Sequence, residues 1–158
     1  MGSQDADKHP VVQALRHWDE HAVAGAIEFR GETTVLVPRE HLRRVAEYLA
    51  AEPSLRFSFL SDITAVDRFP LDPRFEVNYQ LLSLDRKERL RLRVQISGQD
   101  PVLPSVTAVW PTANWHEREN YDLFGIRFEG HPNLTRILMP DEWEGYPLRK
   151  DYPVTGYR

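Results

Sequence analysis

The sequence predicts an α+β fold in two layers, with helices packed on one face of a mixed, mainly antiparallel sheet, followed by an extended irregular C-terminal tail. Three observations carry this expectation. Arg89–Ile96 alternates strictly, with Leu90, Leu92, Val94 and Ile96 set against Arg89, Arg91, Arg93 and Gln95, the mark of a strand with one packed and one wet face. Leu42, Val45, Ala46 and Leu49 recur at i, i+3, i+4 and i+7, the spacing of one apolar helix stripe. From Pro132 onward no period survives, and Pro140, Pro147 and Pro153 punctuate an aromatic-rich segment.

Each element follows in turn. Residues 1–9 are polar and are expected to be a flexible N-terminus. Pro10 suits the first position of a helix that places Val11, Val12, Leu15 and Trp18 on one side. Ala26–Phe29 and Thr33–Val37 flank Arg30-Gly31-Glu32 and read as a hairpin. The helix from Arg39 stops before Pro53. Phe57–Val66 and Phe75–Leu84 are strands rich in aromatic and β-branched residues, the second with Phe75, Val77, Tyr79 and Leu81 on one face. The Asp85–Glu88 turn leads into Arg89–Ile96, whose arginines are expected to form a solvated face. Ser105–Trp110 is ambiguous between helix and strand. Asn114, with Glu117 three residues on, has the reciprocal capping pattern for a helix over Trp115–Phe124, and Gly125 suits its left-handed end. Ile126–Phe128 is expected to add an edge strand before Gly130-His131-Pro132 breaks regular structure. Residues 10–130 thus form a single α+β domain, and 131–158 an extended partner-binding arm.

The 158 residues, 41% hydrophobic and 28% charged, suit one ordinary globular core. A net charge of −4 argues against nucleic-acid binding. The absence of cysteine removes thiolate ligation of zinc or iron–sulfur clusters, disulfides and thiol nucleophiles from this chain's own repertoire. No apolar run approaches the ~20 residues that span a bilayer, and the polar N-terminus lacks a signal-peptide core. A cytoplasmic protein that meets a membrane only through partners is expected.

The helix over Trp115–Phe124 concentrates ionisable groups. His116, Glu119 and Asp122 stand three apart and share a face, which invites a metal site, but a second histidine at i+4 is missing and Arg118 is an unsuitable neighbour for a cation. Glu117 and Glu119 diverge on one helix, whereas paired acid–base carboxylates face each other across a cleft. There is no nucleophile elbow and no glycine-rich phosphate loop. His131 is expected to hold loop backbone. Glu117, Arg118, Glu119 and Asp122 are therefore expected to be ion-paired carboxylates and cations of a subunit interface. Arg136, Trp143, Tyr146, Arg149, Lys150 and Asp151 are its anchors in the tail, since arginine and aromatic residues dominate interface energetics. The competing placement folds the tail back onto its own domain. No catalytic, cofactor-binding or metal-ligating residue is expected.

The strings WHERENYDLFGI and FEGHPNLTRILMPDEWEGYPLRKDYP, with FLSDITAVDRFP, RFEVNYQLLSL and PSVTAVWPTANW upstream, resemble the signature of the 30-kDa subunit family of the respiratory NADH:quinone oxidoreductase, complex I. The likeness covers roughly residues 57–153. It implies a two-layer α/β fold without a cofactor of its own, FMN and iron–sulfur clusters being held by partner subunits. It further implies a peripheral place on the cytoplasmic side of the cell membrane. The partners implied are the large quinone-site subunit, which this chain would buttress, and the subunits carrying the terminal iron–sulfur clusters. Equivalent subunits of energy-converting hydrogenases and coenzyme-F420 dehydrogenases share part of the signature. A stand-alone metal-dependent hydrolase using His116, Glu119 and Asp122 is the alternative of a different class. Because some bacteria fuse this subunit to the large one, a chain ending at Arg158 is expected to be unfused.

Overall fold

Strand alternation and two apolar helix stripes set the layering. The computed structural model describes residues 6–157. Among the described residues three α-helices of nine or more residues, α1 (Pro10–Trp18), α2 (Leu42–Ala51) and α3 (Ala113–Phe124), accompany seven strands. These are β1 (Gly25–Phe29), β2 (Glu32–Leu36), β3 (Phe59–Asp67), β4 (Phe75–Ser83), β5 (Glu88–Ile96), β6 (Val102–Pro104) and β7 (Arg127–Glu129). Five of them form one sheet in the order β1-β2-β5-β4-β3. Only the β2–β5 pair is parallel, so the sheet is mixed and mainly antiparallel, as the sequence predicts.

The core face carries Phe75, Val77, Tyr79 and Leu81 from β4 beside Leu90, Leu92, Val94 and Ile96 from β5, all buried. Val11, Val12 and Leu15 of α1 and Leu42, Val45, Ala46 and Leu49 of α2 join the same apolar cluster. Trp18 stacks on Tyr48 with ring centroids 4.5 Å apart, tying the two helices together. The expected loose start is corrected for residues 6–9, while 1–5 lie outside the described residues. Ala6 is fully buried, Asp7 pairs with Arg16 at 2.8 Å, and the His9 ring accepts the Val11 N–H at the head of α1.

The arginine stripe lies on the opposite face, but two of its members are engaged there. Arg91 meets Glu32 at 2.7 Å, and Arg93 bonds Asn78 and Glu76, each at 3.1 Å. Arg89 alone of the three is exposed without a partner among the described residues.

Edge strand β3 is sealed by the region of α3. The Trp110 indole donates to the Phe57 carbonyl (3.0 Å), Thr112 to Leu60 (3.4 Å) and the Asn120 amide to Ile63 (2.7 Å). Side-chain donors thus occupy carbonyls that an open edge would offer to another chain.

Three local expectations are corrected. Ser105–Trp110 is a turn region rather than helix or strand, preceded by β6. The strand expected over Ile126–Phe128 spans Arg127–Glu129 and pairs in parallel with β6 in a separate two-stranded sheet, away from the main sheet's edge. Helix α3 begins at Ala113 with Thr112 as N-cap and no side-chain capping bond, so the Asn114–Glu117 pattern caps nothing. At the other end Gly125 does take the left-handed conformation (φ 73°).

Candidate functional site

The ionisable face of α3 is divided between three tasks, and the tail takes the largest. Asp122, fully buried, is the hub. One carboxylate oxygen accepts the backbone N–H groups of Ile137 (3.0 Å), Leu138 (2.7 Å) and Met139 (2.9 Å). The other accepts Nη1 of Arg136 at 2.7 Å. Burial pushes this carboxyl's pKa up, but the three amides and the guanidinium outweigh that and hold it below the ordinary value. Arg136 then uses Nη2 to bond the carbonyls of Trp143 and Gly145, each at 3.0 Å, and lies 5.4 Å over the Tyr146 ring. A single buried ion pair therefore shapes residues 136–146.

Two further clamps hold the tail downstream. Arg149 donates Nε to the Phe124 carbonyl at 2.6 Å and packs over the rings of Phe75 and Tyr146. Gly125 makes room for this, because a Cβ there would meet the Tyr146 ring at 2.6 Å and the Arg149 guanidinium at 2.7 Å. Beyond it, Arg74 forms a forked pair with Asp67 (2.9 and 2.8 Å) and reaches Asp151 at 2.6 Å, while the Lys150 N–H donates to Asp67 at 2.8 Å. Burial alone would raise the Asp67 pKa, but Arg74 and the amides of Lys150 and Phe69 bring it to about 2. These clamps join the segment 131–157 to its own domain. The charged groups of Arg136, Arg149 and Asp151 all have partners within the chain.

Glu117 corrects the expectation of an ion-paired carboxylate. It is fully buried with no cation beside it, and accepts the Val106 N–H and the Ser105 hydroxyl, both at 2.7 Å. Burial drives its pKa up to about 7 against those two bonds. Nearby, the Tyr79 hydroxyl is the one buried side-chain polar atom without a partner among the described residues, and burial, with the Glu117 charge, raises its pKa.

The remaining members of α3 diverge. Arg118 donates to the Thr135 and Arg136 carbonyls (3.1 and 2.9 Å), adding to the tail's support. Glu119 is exposed and unpaired among the described residues. His116 pairs with Asp62 at 3.2 Å. The triad His116, Glu119 and Asp122 thus has three different surroundings, and no group of three or more potential ligands converges among the described residues. His131 does hold loop backbone: Nδ1 accepts the Asn133 N–H at 3.0 Å, leaving Nε2 to donate to the Asn114 carbonyl at 3.2 Å. Sequence reasoning missed Asp67, Arg74, Ser105 and Tyr79, which carry no local pattern and matter only through partners distant in the chain.

Fold and site together define an α+β domain whose buried charges hold a long irregular strap against one helix. No helix among the described residues is long and apolar enough to cross a membrane. Residues 35–158 match the family model described as the respiratory-chain NADH dehydrogenase, 30 Kd subunit, and the chain belongs to that family. It is 47% identical over 148 residues to the NADH-quinone oxidoreductase C subunit of Roseiflexus sp. (strain RS-1), covering 94% of this chain and 85% of that one. It is 46% identical to the protein of the same name from Citrifermentans bemidjiense, covering 96% of this chain and 92% of that one. A solved trypsin-resistant fragment of Nqo5 is 42% identical and superposes with a TM-score of 0.58 over 66% of this chain and 83% of the fragment. A chain of an archaeal membrane-bound sulfane sulfur reductase, an archaeal respiratory membrane complex, shares the fold, with a TM-score of 0.75 at 24% identity over 91% of this chain and 84% of that one.

Proposed function

We propose that this chain is a structural subunit of the peripheral arm of a proton-translocating NADH:quinone oxidoreductase, on the cytoplasmic side of the membrane. In this reading it holds no redox group. FMN and the iron–sulfur clusters belong to partner subunits, and electrons pass through those neighbours. Its partners are the large quinone-site subunit, which it buttresses, and the subunits with the terminal clusters. It reaches the membrane only through them and binds no nucleic acid.

One observation carries the proposal. The strap keeps apolar side chains in the open: Leu138 is 60% exposed, Leu148 51% and Val154 fully. Such exposed apolar residues are what a covering subunit would bury. The buried acids of α3 are meanwhile engaged in structure, and the lack of cysteine denies the chain thiolate ligands for a cluster. The 47% identity to a relative named for the quinone enzyme supports that enzyme over the hydrogenase-type and F420-type alternatives, since 24% identity to a sulfur reductase chain speaks for fold alone.

The test is complementation. A tagged copy replaces the native 30-kDa subunit in a bacterium lacking its own, membranes are solubilised, and complexes are resolved on native gels. The tag should run with the assembled complex, and NADH:quinone activity should return. A tag that stays free, beside a complex that assembles without it, would defeat the proposal.

A further inference from the structure

The C-terminal strap folds into a concavity of about 540 Å³ lined by residues that include Trp143, Tyr152, Tyr157, Glu142 and Glu144. We propose that this concavity is a receptor for one cationic side chain, a lysine or arginine of a neighbouring protein, taken between the three rings and the two carboxylates. The inference rests on the reading of the chain as an assembled subunit and names the chemistry of one contact.

The rings are placed by built features. Tyr152 and Tyr157 meet edge to face, with centroids 5.4 Å apart and planes at 88°. They close on the loop only because residue 145 is glycine. Its φ is 78°, and a Cβ there would lie 2.6 Å from the Tyr157 ring and 2.9 Å from that of Tyr152. The loop backbone is fixed from behind by Arg136, which bonds the carbonyls of Trp143 and Gly145, and by the Trp143 N–H on Pro140 (3.0 Å). The Tyr152 hydroxyl donates to the Glu144 carbonyl at 3.4 Å. The site is therefore prearranged, which lowers the ordering cost of binding.

Charge selects the occupant. Three rings alone would admit any apolar side chain, but aromatic faces attract cations, and carboxylates beside them add a direct Coulombic term. Neither Glu142 nor Glu144 has a side-chain partner among the described residues. Two arginines of the strap are occupied elsewhere, Arg136 by Asp122 and Arg149 by the Phe124 carbonyl and two rings. The wall of the concavity thus combines two carboxylate residues without side-chain partners among the described residues with three aromatic residues, a combination that fits a guanidinium or ammonium group.

The test uses the isotope-labelled full chain and two probes, N-acetyl-arginine amide and N-acetyl-lysine amide, with the neutral citrulline analogue as control. Either cation should shift the Trp143 indole N–H and the amides of Glu142 and Glu144, and the citrulline analogue should not. Glu142→Gln/Glu144→Gln should weaken binding by roughly tenfold. Equal response to citrulline, or no response to either cation, overturns the proposal. In the complemented bacterium, Glu142→Lys/Glu144→Lys should reduce the tagged protein in the complex by a similar factor while the purified variant keeps its melting temperature. Normal incorporation of both this variant and the parent would defeat the cation site and leave complex membership standing. Failure of the parent itself to incorporate would instead defeat the proposed function.

Discussion

Replacing Asp122 with Ala should release the strap while leaving the sheet intact. The substitution removes the acceptor of three backbone N–H groups and the partner of the Arg136 guanidinium. Deleting one side of a buried, hydrogen-bonded ion pair costs ~3–5 kcal/mol, because the other charge is left without compensation. Two features favour the lower end. Arg136 keeps the carbonyls of Asp122, Trp143 and Gly145, and the residues at 136, 137 and 139 are only half-buried, so a lifted strap regains water. A loss of ~3 kcal/mol corresponds to exchange roughly 100-fold faster at the amides of Ile137, Leu138 and Met139. Hydrogen exchange read residue by residue is the assay, with the amides of Val45–Leu49 in α2 as the internal reference. Those three strap amides should accelerate far more than the reference. If they exchange equally fast in parent and variant, the Asp122 carboxylate does not hold the strap and the hub assignment is wrong.

Four other outcomes follow from the same geometry. Glu117 has a pKa raised from 4.5 to about 7, so its stabilising contribution is complete below pH 4.5 and is lost as pH rises through 7. Glu117→Gln should flatten a decline of ~3 kcal/mol across that window in denaturant titrations, and should be the more stable protein at pH 8; an unchanged pH profile would refute the assignment. Gly125→Ala places a side chain at φ 73° against Tyr146 and Arg149, and thermal melts should show a loss of ~2 kcal/mol or more. Truncation after Gly130 strips Asp122, Asp67 and Phe124 of their cover, so calorimetry should show the melting temperature falling by roughly 10 °C or more rather than staying near the parent's. Arg93→Gln leaves the buried Glu76 with only Arg68 and should cost ~1–2 kcal/mol by denaturant titration, whereas Arg89→Gln should fall within ~0.5 kcal/mol.

Long periodic segments are legible because their signal is local. The strict alternation of β5 and the stripe of Leu42, Val45, Ala46 and Leu49 specify burial without reference to any other part of the chain, and both lie where expected. The Asn114–Glu117 pattern misleads because a capping box is defined by spacing alone. Here the Glu117 carboxylate has better donors in Ser105 and Val106, eleven or twelve residues back, and the helix starts two residues earlier than that box requires. The tail is ambiguous for a compositional reason. Arg136, Tyr146 and Arg149 bury the same stems and offer the same donors whether the opposing surface is their own helix or a neighbour's. Asp67 and Lys150, 83 positions apart, show the limit most plainly. Nothing near Asp67 announces that a tail amide will come to it.

The sealing of β3 by the α3 region also has a consequence in time. A nascent chain emerges from the ribosome N-terminus first, so β3 is available for pairing before its own seal has been made. The Asn120 amide that closes on Ile63 lies 57 residues downstream, which at ~5–20 residues per second is a delay of roughly 3–11 s. Until the seal is made β3 has an unguarded edge, with the apolar Phe57 just before it and Leu60 within it. Translation speed through residues 64–120, and whatever chaperone attends the exit tunnel, therefore bear directly on how much of this protein reaches its folded state.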